Sequence, residues 1–258
     1  MLEVIDTHAH LDELENLESV LDKAKKAGVT AIVAVGSSHE SNRKVIEISE
    51  SHPNFIYPAL GLHPWGLGDI DSNGINIALK FIEEKISQIV AIGEIGLDYD
   101  KRVIKVASKE LQKETLNCLL ALSKKYAKPV SIHSRYAWKD SFELANEAGI
   151  EKAVFHWFTG FSSVLKNILE AGYLISATPA AEYHDEHRRA IKETPLHKLL
   201  LETDCPVMYG KENKYRSQPV DVTRTLKAVA ALKENDESAI AWQTTHNAIE
   251  FFSLSQLV

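Results

Sequence analysis

Six histidine and carboxylate residues of this chain are candidate ligands for divalent metal ions: His8, His10, Glu94, His133, His156 and Asp204. Imidazole and carboxylate donors together suit Zn²⁺, Mn²⁺ or Fe²⁺, and carboxylate with water suits Mg²⁺. The His8-x-His10 spacing has a physical reason. Alternate residues of a β-strand share a face, with Cα atoms about 6.5 Å apart, so two imidazoles can converge on one ion. Asp6 has the same parity and is expected to point inward and orient a ligand histidine from behind. Glu202 and Asp204 repeat the spacing near the far end of the chain. Six donors exceed what one catalytic ion needs. The surplus predicts two ions roughly 3.5–4 Å apart that share one carboxylate, with Glu94 as the bridge. Such ions lower the pKa of water from about 16 toward about 7, so the chemistry expected is hydrolysis, with Asp204 steering the proton.

A lone strand-end histidine is more often a satisfied polar residue than a ligand. The positions argue otherwise here. Short apolar, β-branched runs recur as Leu2–Thr7, Thr30–Val35, Phe55–Leu60, Ile89–Ile92, Pro129–Ile132, Lys152–Phe155, Tyr173–Ser176 and Lys198–Leu201. Each reads as a buried parallel strand. Helical patterns lie between them: Leu14–Ala27 with Gly28 as a stop, then Glu40–Glu50, Ile75–Lys85, Lys109–Tyr126, Asp140–Ala148, Ser163–Ala171 and Glu182–Lys192. Pro219–Leu232 and Ser238–Phe252 close the series, and the polar stretch Met208–Gln218 reads as a loop.

Eight strands alternating with helices predict a single-domain α/β structure over residues 1–258, a (β/α)₈ (TIM) barrel. A doubly wound open sheet would give a similar alternation but requires no ring of polar residues at strand ends. In a barrel all C-terminal strand ends face one mouth. His8 and His10 are expected to close the first strand, Glu94 the fourth, His133 the fifth, His156 the sixth and Asp204 the eighth. Polar groups turned inward from apolar strands are costly without partners, which favours a shared ligand.

The chain has 258 residues, 45% of them hydrophobic and 25% charged, ordinary for a soluble globular protein. Cys118 and Cys205 are too few and too far apart for a disulfide framework or a C-x-x-C motif, so a reducing, cytoplasmic setting is expected. The start MLEVIDTHAH lacks the pattern of a signal peptide, and no apolar run approaches a membrane span. The net charge of −7 argues against a module that coats nucleic acid through bulk charge. It is compatible with an enzyme that grips one phosphate beside bound cations.

The sequence resembles the TatD family of metal-dependent deoxyribonucleases, within the amidohydrolase-like barrels. The matching stretches are Asp6-Thr7-His8-Ala9-His10-Leu11, Gly61-Leu62-His63-Pro64, GEIGLDY from Gly93 to Tyr99 and IHSR from Ile132 to Arg135. They continue with HxFTG from His156 to Gly160 and ETDCP from Glu202 to Pro206. They occur in the family's order; HxH alone is weak, and GEIGLDY is specific. The resemblance implies a divalent-metal phosphodiesterase with His8, His10, Glu94 and Asp204 at one ion and Glu94, His133 and His156 at the second. His63 and Arg135 would then hold substrate phosphate, and Asp204, Glu94 and His63 would be the catalytic set. The implied substrate is the 3′ end of DNA, single-stranded by preference, trimmed stepwise; the acidic composition without an apolar patch in the pattern points separately to a monomer. Two departures stand out: Trp157 after the sixth-strand histidine, and Ser217-Gln218-Pro219 where the family has Asn-Glu-Pro.

Other residues have simpler readings. Trp65 and Trp157 could stack a nucleobase or pack, and Arg135 could pair with a surface carboxylate. Cys205 is expected to be a small buried residue rather than a ligand. His184 and His187, among charges on a helix, are expected to face solvent; His39, His52, His197 and His246 have no expected partner. Two other functions share the scaffold: a metal-dependent esterase, deacylase (on aminoacyl-tRNA, for example) or amidohydrolase, and an inactive barrel acting as a binding protein. Where two-ion amidohydrolases use a carbamylated lysine as the bridge, this chain has Glu94, which favours the nuclease.

Overall fold

The computed structural model describes residues 2–254. Eight parallel strands lie side by side in chain order: β1 (Val4–Ala9), β2 (Val29–Val35), β3 (Ile56–Leu60), β4 (Ala91–Gly96), β5 (Val130–His133), β6 (Ala153–Phe155), β7 (Leu174–Ala177) and β8 (Leu199–Leu201). The far edges then meet. The Thr7 hydroxyl donates to the Leu201 carbonyl at 2.9 Å, and Ala9 bridges Cys205 in parallel. The Asp204 N–H donates to the His8 carbonyl (2.9 Å) and the His10 N–H to the Cys205 carbonyl (2.8 Å). An open doubly wound sheet keeps two edges apart; this sheet closes on itself as a (β/α)₈ barrel.

Helices α1 (Leu17–Lys26), α2 (His39–Ser51), α3 (Ser72–Glu84), α4 (Lys109–Tyr126), α5 (Trp138–Glu147), α6 (Ser162–Glu170), α7 (Asp185–Glu193), α8 (Val222–Lys233) and α9 (Glu237–Phe252) complete the fold. Short polar side chains begin several of them. Ser38, Asp71 and Ser108 accept from the N–H groups of Ser41, Gly74 and Leu111, which satisfies first-turn donors. Helix α1 starts three residues later than its apolar pattern suggests, because Leu11–Glu13 forms a separate 3-10 turn and Asn16 takes φ +52°. The stretch Met208–Gln218 is more than a loop: β9 (Met208–Tyr209) pairs antiparallel with β10 (Tyr215–Arg216). Gln218 starts the turn into α8, its N–H donating to Asp221 Oδ2 at 2.8 Å.

The barrel interior explains how the polar strand ends reach the mouth. Ile5, Val33, Ala59, Ala91, Val154 and Leu200, from six different strands, share one buried cluster with Phe251, Phe252 and Leu254. Only the inside of a barrel lets so many strands touch. Strict alternation from Ile5 would turn His8 outward, and alternation from Ala91 would do the same to Glu94. The ladder shifts register between Asp6 and Ala9 and again between Ile92 and Ile95, which supplies the odd residue in each case. Glu94 therefore sits within β4, two residues before its end, rather than closing it.

Candidate metal centre

Glu94 occupies the middle of the mouth, 2% exposed. Gly61 at the end of β3 makes this possible: a Cβ there would overlap the Glu94 carbonyl oxygen, so only glycine lets the two backbones approach. The two carboxylate oxygens of Glu94 face different donor sets. Oε2 lies 3.4 Å from His8 Nε2 and 3.3 Å from His10 Nε2, and Asp204 Oδ1 lies 3.7 and 3.5 Å from the same nitrogens. Donors about 2.05 Å from a tetrahedral ion are separated by roughly 3.3 Å, so these spacings match the edges of a coordination polyhedron. They are long for hydrogen bonds. Oε1 lies 2.7 Å from His156 Nε2, 2.9 Å from His133 Nδ1 and 3.4 Å from His63 Nε2. All six predicted ligands and His63 thus converge, and two of the resulting groups, His8–His10–Asp204 and His63–Glu94–His133, each bring their donor atoms within 4.8 Å of one another.

The donor set fits divalent cations on a second observation. His8 Nε2 is buried and has no hydrogen-bond partner, although it points at two carboxylates. A buried polar atom left unpaired costs about 1–3 kcal/mol, and an ion between these groups would satisfy it. Polar groups approach three of the remaining ring nitrogens from behind, the arrangement that orients metal-binding histidines, whereas His10 Nδ1 is also without a partner. Ser131 Oγ lies 3.2 Å from His8 Nδ1, Glu202 Oε1 3.4 Å from His156 Nδ1, and Asp98 Oδ2 3.0 Å from His133 Nε2.

Protons occupy part of this charge balance. Burial would raise Glu94 and Asp204, but the neighbouring histidines hold both below the usual carboxylate range. Burial would lower His10, His133 and His156, yet bonds to the same carboxylates and to Asp98 or Glu202 raise all three. Cations binding here compete with those protons. His63 behaves differently. Burial takes it down to about 4 despite Glu94 nearby. Its Nδ1 accepts the Trp65 N–H at 3.1 Å, which leaves Nε2 as the protonated nitrogen facing the site.

Several placements differ from the sequence expectations. Asp6 does not reach a ligand histidine ring. Its carboxylate accepts the Thr203 N–H at 2.9 Å and the Thr203 hydroxyl at 2.6 Å, and so fixes the end of β8; it also accepts the His8 backbone N–H at 3.3 Å. The register shift in β1 is the reason, since it removes the shared parity with His8. His187 does not face solvent: it is fully buried, accepts the Thr178 N–H on Nε2 at 3.1 Å and places Nδ1 2.9 Å from the Phe158 carbonyl oxygen. Ala190 and Ile191, three and four residues on, share its buried face and were the available signal. His184 is half-exposed and caps α7, while His52 meets Glu18 at 3.2 Å. Cys205 is buried and contributes its carbonyl to barrel closure.

Asp98 was not singled out in the sequence. It is fully buried and accepts from Trp65 Nε1 (2.6 Å), His133 Nε2 (3.0 Å) and Arg135 Nε (3.0 Å). The signal was its place in the GEIGLDY run, but its partners lie 33 to 37 residues away. Arg135 also approaches Asp100 Oδ2 at 3.4 Å and covers the Trp65 ring at 5.3 Å. Trp157 takes φ +41°, costly for so bulky a residue. Bonds from its N–H to Ser176 Oγ (3.0 Å) and Glu202 Oε1 (3.1 Å) hold it there, with its ring 5.3 Å from that of Tyr209.

A parallel barrel whose mouth gathers histidines and carboxylates around one buried glutamate has the architecture of a hydrolase that works through bound cations. Comparison with known proteins narrows this. The family model described as TatD related DNase matches residues 5–253. Human "Deoxyribonuclease TATDN3" is 34% identical over 96% of this chain and 94% of its own length. The "Uncharacterized metal-dependent hydrolase YabD" of Bacillus subtilis is 33% identical over 98% and 100%. The "3'-5' ssDNA/RNA exonuclease TatD" of Pantoea ananatis is 28% identical over 92% and 93%. Among solved structures, the TatD homologue YJJV of Escherichia coli superposes with a TM-score of 0.87 at 28% identity, over 97% of this chain and 98% of that one. The chain belongs to the TatD-related DNase family and is a hydrolase. Among the described residues no helix is long and apolar enough to cross a membrane.

Proposed function

We propose that this protein removes nucleotides from the 3′ end of single-stranded DNA with the help of two divalent cations that His8, His10, Glu94, His133, His156 and Asp204 would hold. The observation that carries the reading is the division of the Glu94 carboxylate. Oε2 faces His8, His10 and Asp204, whereas Oε1 faces His133 and His156. Support for the substrate comes from the relatives' names. All six donors come from one chain, so a monomer suffices.

Cations bound there would lower the pKa of a water and draw electron density from the phosphoryl group. The protein's own groups do the rest. Asp204, at the mouth beside His8 and His10, accepts the proton of the attacking water. A new P–O bond forms to that water oxygen, and the bond to the preceding nucleotide's 3′-oxygen breaks. The proton passes to that oxygen, which leaves a 3′-hydroxyl strand and a 5′-mononucleotide. His63 donates from Nε2 to a phosphoryl oxygen, and Arg135 neutralises developing charge. Glu202 lies 3.4 Å behind His156 Nδ1, and Asp6 fixes the strand end that carries Asp204.

The test is trimming of 5′-labelled single-stranded DNA by metal-stripped protein, with Mn²⁺ or Mg²⁺ restored and EDTA controls. The expected product is a ladder shortening from the 3′ end only when metal is present. RNA and ester substrates run in parallel. Ester turnover without loss of nucleotides would overturn the reading.

A further inference from the structure

The mouth carries exposed aromatic side chains that the metal centre does not use. Trp65 follows β3 and is 55% exposed, Tyr136 follows β5 and is 60% exposed, and Phe161 follows β6 and is 68% exposed. They form one line. Arg135 lies over the Trp65 ring at 5.3 Å and the Tyr136 ring at 6.0 Å. Tyr136 meets Trp138 edge-on at 5.9 Å, and Trp138 meets Phe161 at 5.4 Å. The near end touches the site, because Trp65 and Arg135 both bond to Asp98, which also holds His133.

Packing does not account for this exposure. Large apolar groups in water are unfavourable, and a run of them at an active-site mouth marks a binding surface. Tyr136 is additionally held at φ +57°, a conformation uncommon for a non-glycine residue, with its ring turned to solvent. Rings are also fixed beforehand: Trp65 by its bond to Asp98, Trp138 by Gly160, where a Cβ would come within 2.6 Å of the indole. Preformed platforms cost little ordering on binding.

We infer that Trp65, Arg135, Tyr136, Trp138 and Phe161 form a stacking track for the bases of a single-stranded nucleic acid whose 3′ end lies at Glu94. This rests on the function proposed above and extends it to the strand upstream of the cleaved bond. Aromatic faces stack any base, so the track accepts a strand regardless of sequence. A duplex hides those faces and is rejected. Arg135 within the track is paired with Asp98, and nearby Lys139 and Arg189 contact Glu143 and Glu193. Stacking rather than counterion release therefore dominates, and binding depends shallowly on salt, with a slope of about one to two.

The test measures binding of fluorescein-labelled oligo-dT and oligo-U of two, four and eight nucleotides to the metal-loaded full chain. Their 3′-terminal linkages are phosphorothioates, which resist cleavage. Affinity is expected to rise up to about four nucleotides, roughly one base per exposed ring beyond the terminal one. Phe161→Ala and Tyr136→Ala should each weaken the octamer roughly 5- to 150-fold, and the dinucleotide much less. Trp242→Ala, an exposed tryptophan outside the track, should match the wild type. Equal losses for oligo-dT and oligo-U indicate stacking without sugar readout, and a loss confined to one arm assigns the track to that sugar. Affinity that stays flat from two to eight nucleotides, or variants that bind the octamer like wild type, would overturn the track. If wild type still trims DNA in that case, the proposed function survives; if length-dependent binding occurs without cleavage of any phosphodiester, the track survives and the function falls.

Discussion

Replacing Asp98 by asparagine separates the two halves of the metal centre. The carboxylate accepts from Trp65, His133 and Arg135 at 2.6–3.0 Å and is fully buried. Burial would raise its pKa, but the bond to His133 and its other donors hold it well below the usual carboxylate range, so it is charged at neutral pH. An amide keeps one accepting oxygen and turns an NH₂ toward at least one former donor. Hydrogen bonds to charged groups contribute about 1.5–3 kcal/mol. Losing one at His133 should weaken an ion held by Glu94 Oε1 roughly 10- to 150-fold, at 1.4 kcal/mol per decade. The effect of removing a partner behind a metal-binding histidine is of the same order. Calorimetric titration of metal-stripped protein with Mn²⁺ gives the answer. One binding event should weaken by that factor while the other, on the His8–His10–Asp204 side, stays within about threefold. Equal weakening of both events, or of neither, would refute the division of labour around Glu94.

Three further outcomes follow from the geometry. Gly61→Ala forces a Cβ into the Glu94 carbonyl, so it should lower both the melting temperature and the metal affinity, measured by scanning fluorimetry with and without Mn²⁺. His187 is buried neutral with its pKa lowered to about 4 by burial, so its contribution is complete above pH 6.5 and is lost as pH falls from 6.5 toward 4. That loss amounts to about 3 kcal/mol, and His187→Gln should flatten this limb of the stability profile while lowering stability at pH 7. Asp204→Asn keeps the side chain's shape and removes the proton acceptor; single-turnover trimming should slow by at least about a hundredfold with metal still bound, and near-normal turnover would exclude Asp204 from that role.

Much of the site could be read from residue order because a barrel delivers every strand end to one mouth, so six donors scattered from His8 to Asp204 needed no contact information. Local irregularity was harder. The shifts in β1 and β4 depend on ladder pairing with β2 and β5, which spacing within one strand does not reveal; parity alone turns Asp6 toward a histidine ring, whereas its carboxylate bonds to Thr203 and to the His8 backbone N–H. Asp98 lay inside a recognised run, but its value comes from Trp65, His133 and Arg135, which only the closed barrel brings to it. His187 shows the converse. Charged neighbours suggested solvent, while the apolar partners at three and four residues carried the better signal. Of the aromatic line, Trp65 alone reads as a stacking residue in the sequence; the rest does not, because its rings follow three different strands and only the closed barrel brings them together.

Glu94, in the function proposed above, joins two cation positions that both serve hydrolysis. The most direct test titrates metal-stripped wild type and Glu94→Gln with Mn²⁺ while following release of 3′-terminal nucleotides from single-stranded DNA. Wild type should bind two equivalents and regain activity as the second fills, and Glu94→Gln should lose at least one equivalent together with activity. Full trimming in EDTA, or a Glu94→Gln protein that binds two ions and trims at the wild-type rate, would contradict this role of Glu94.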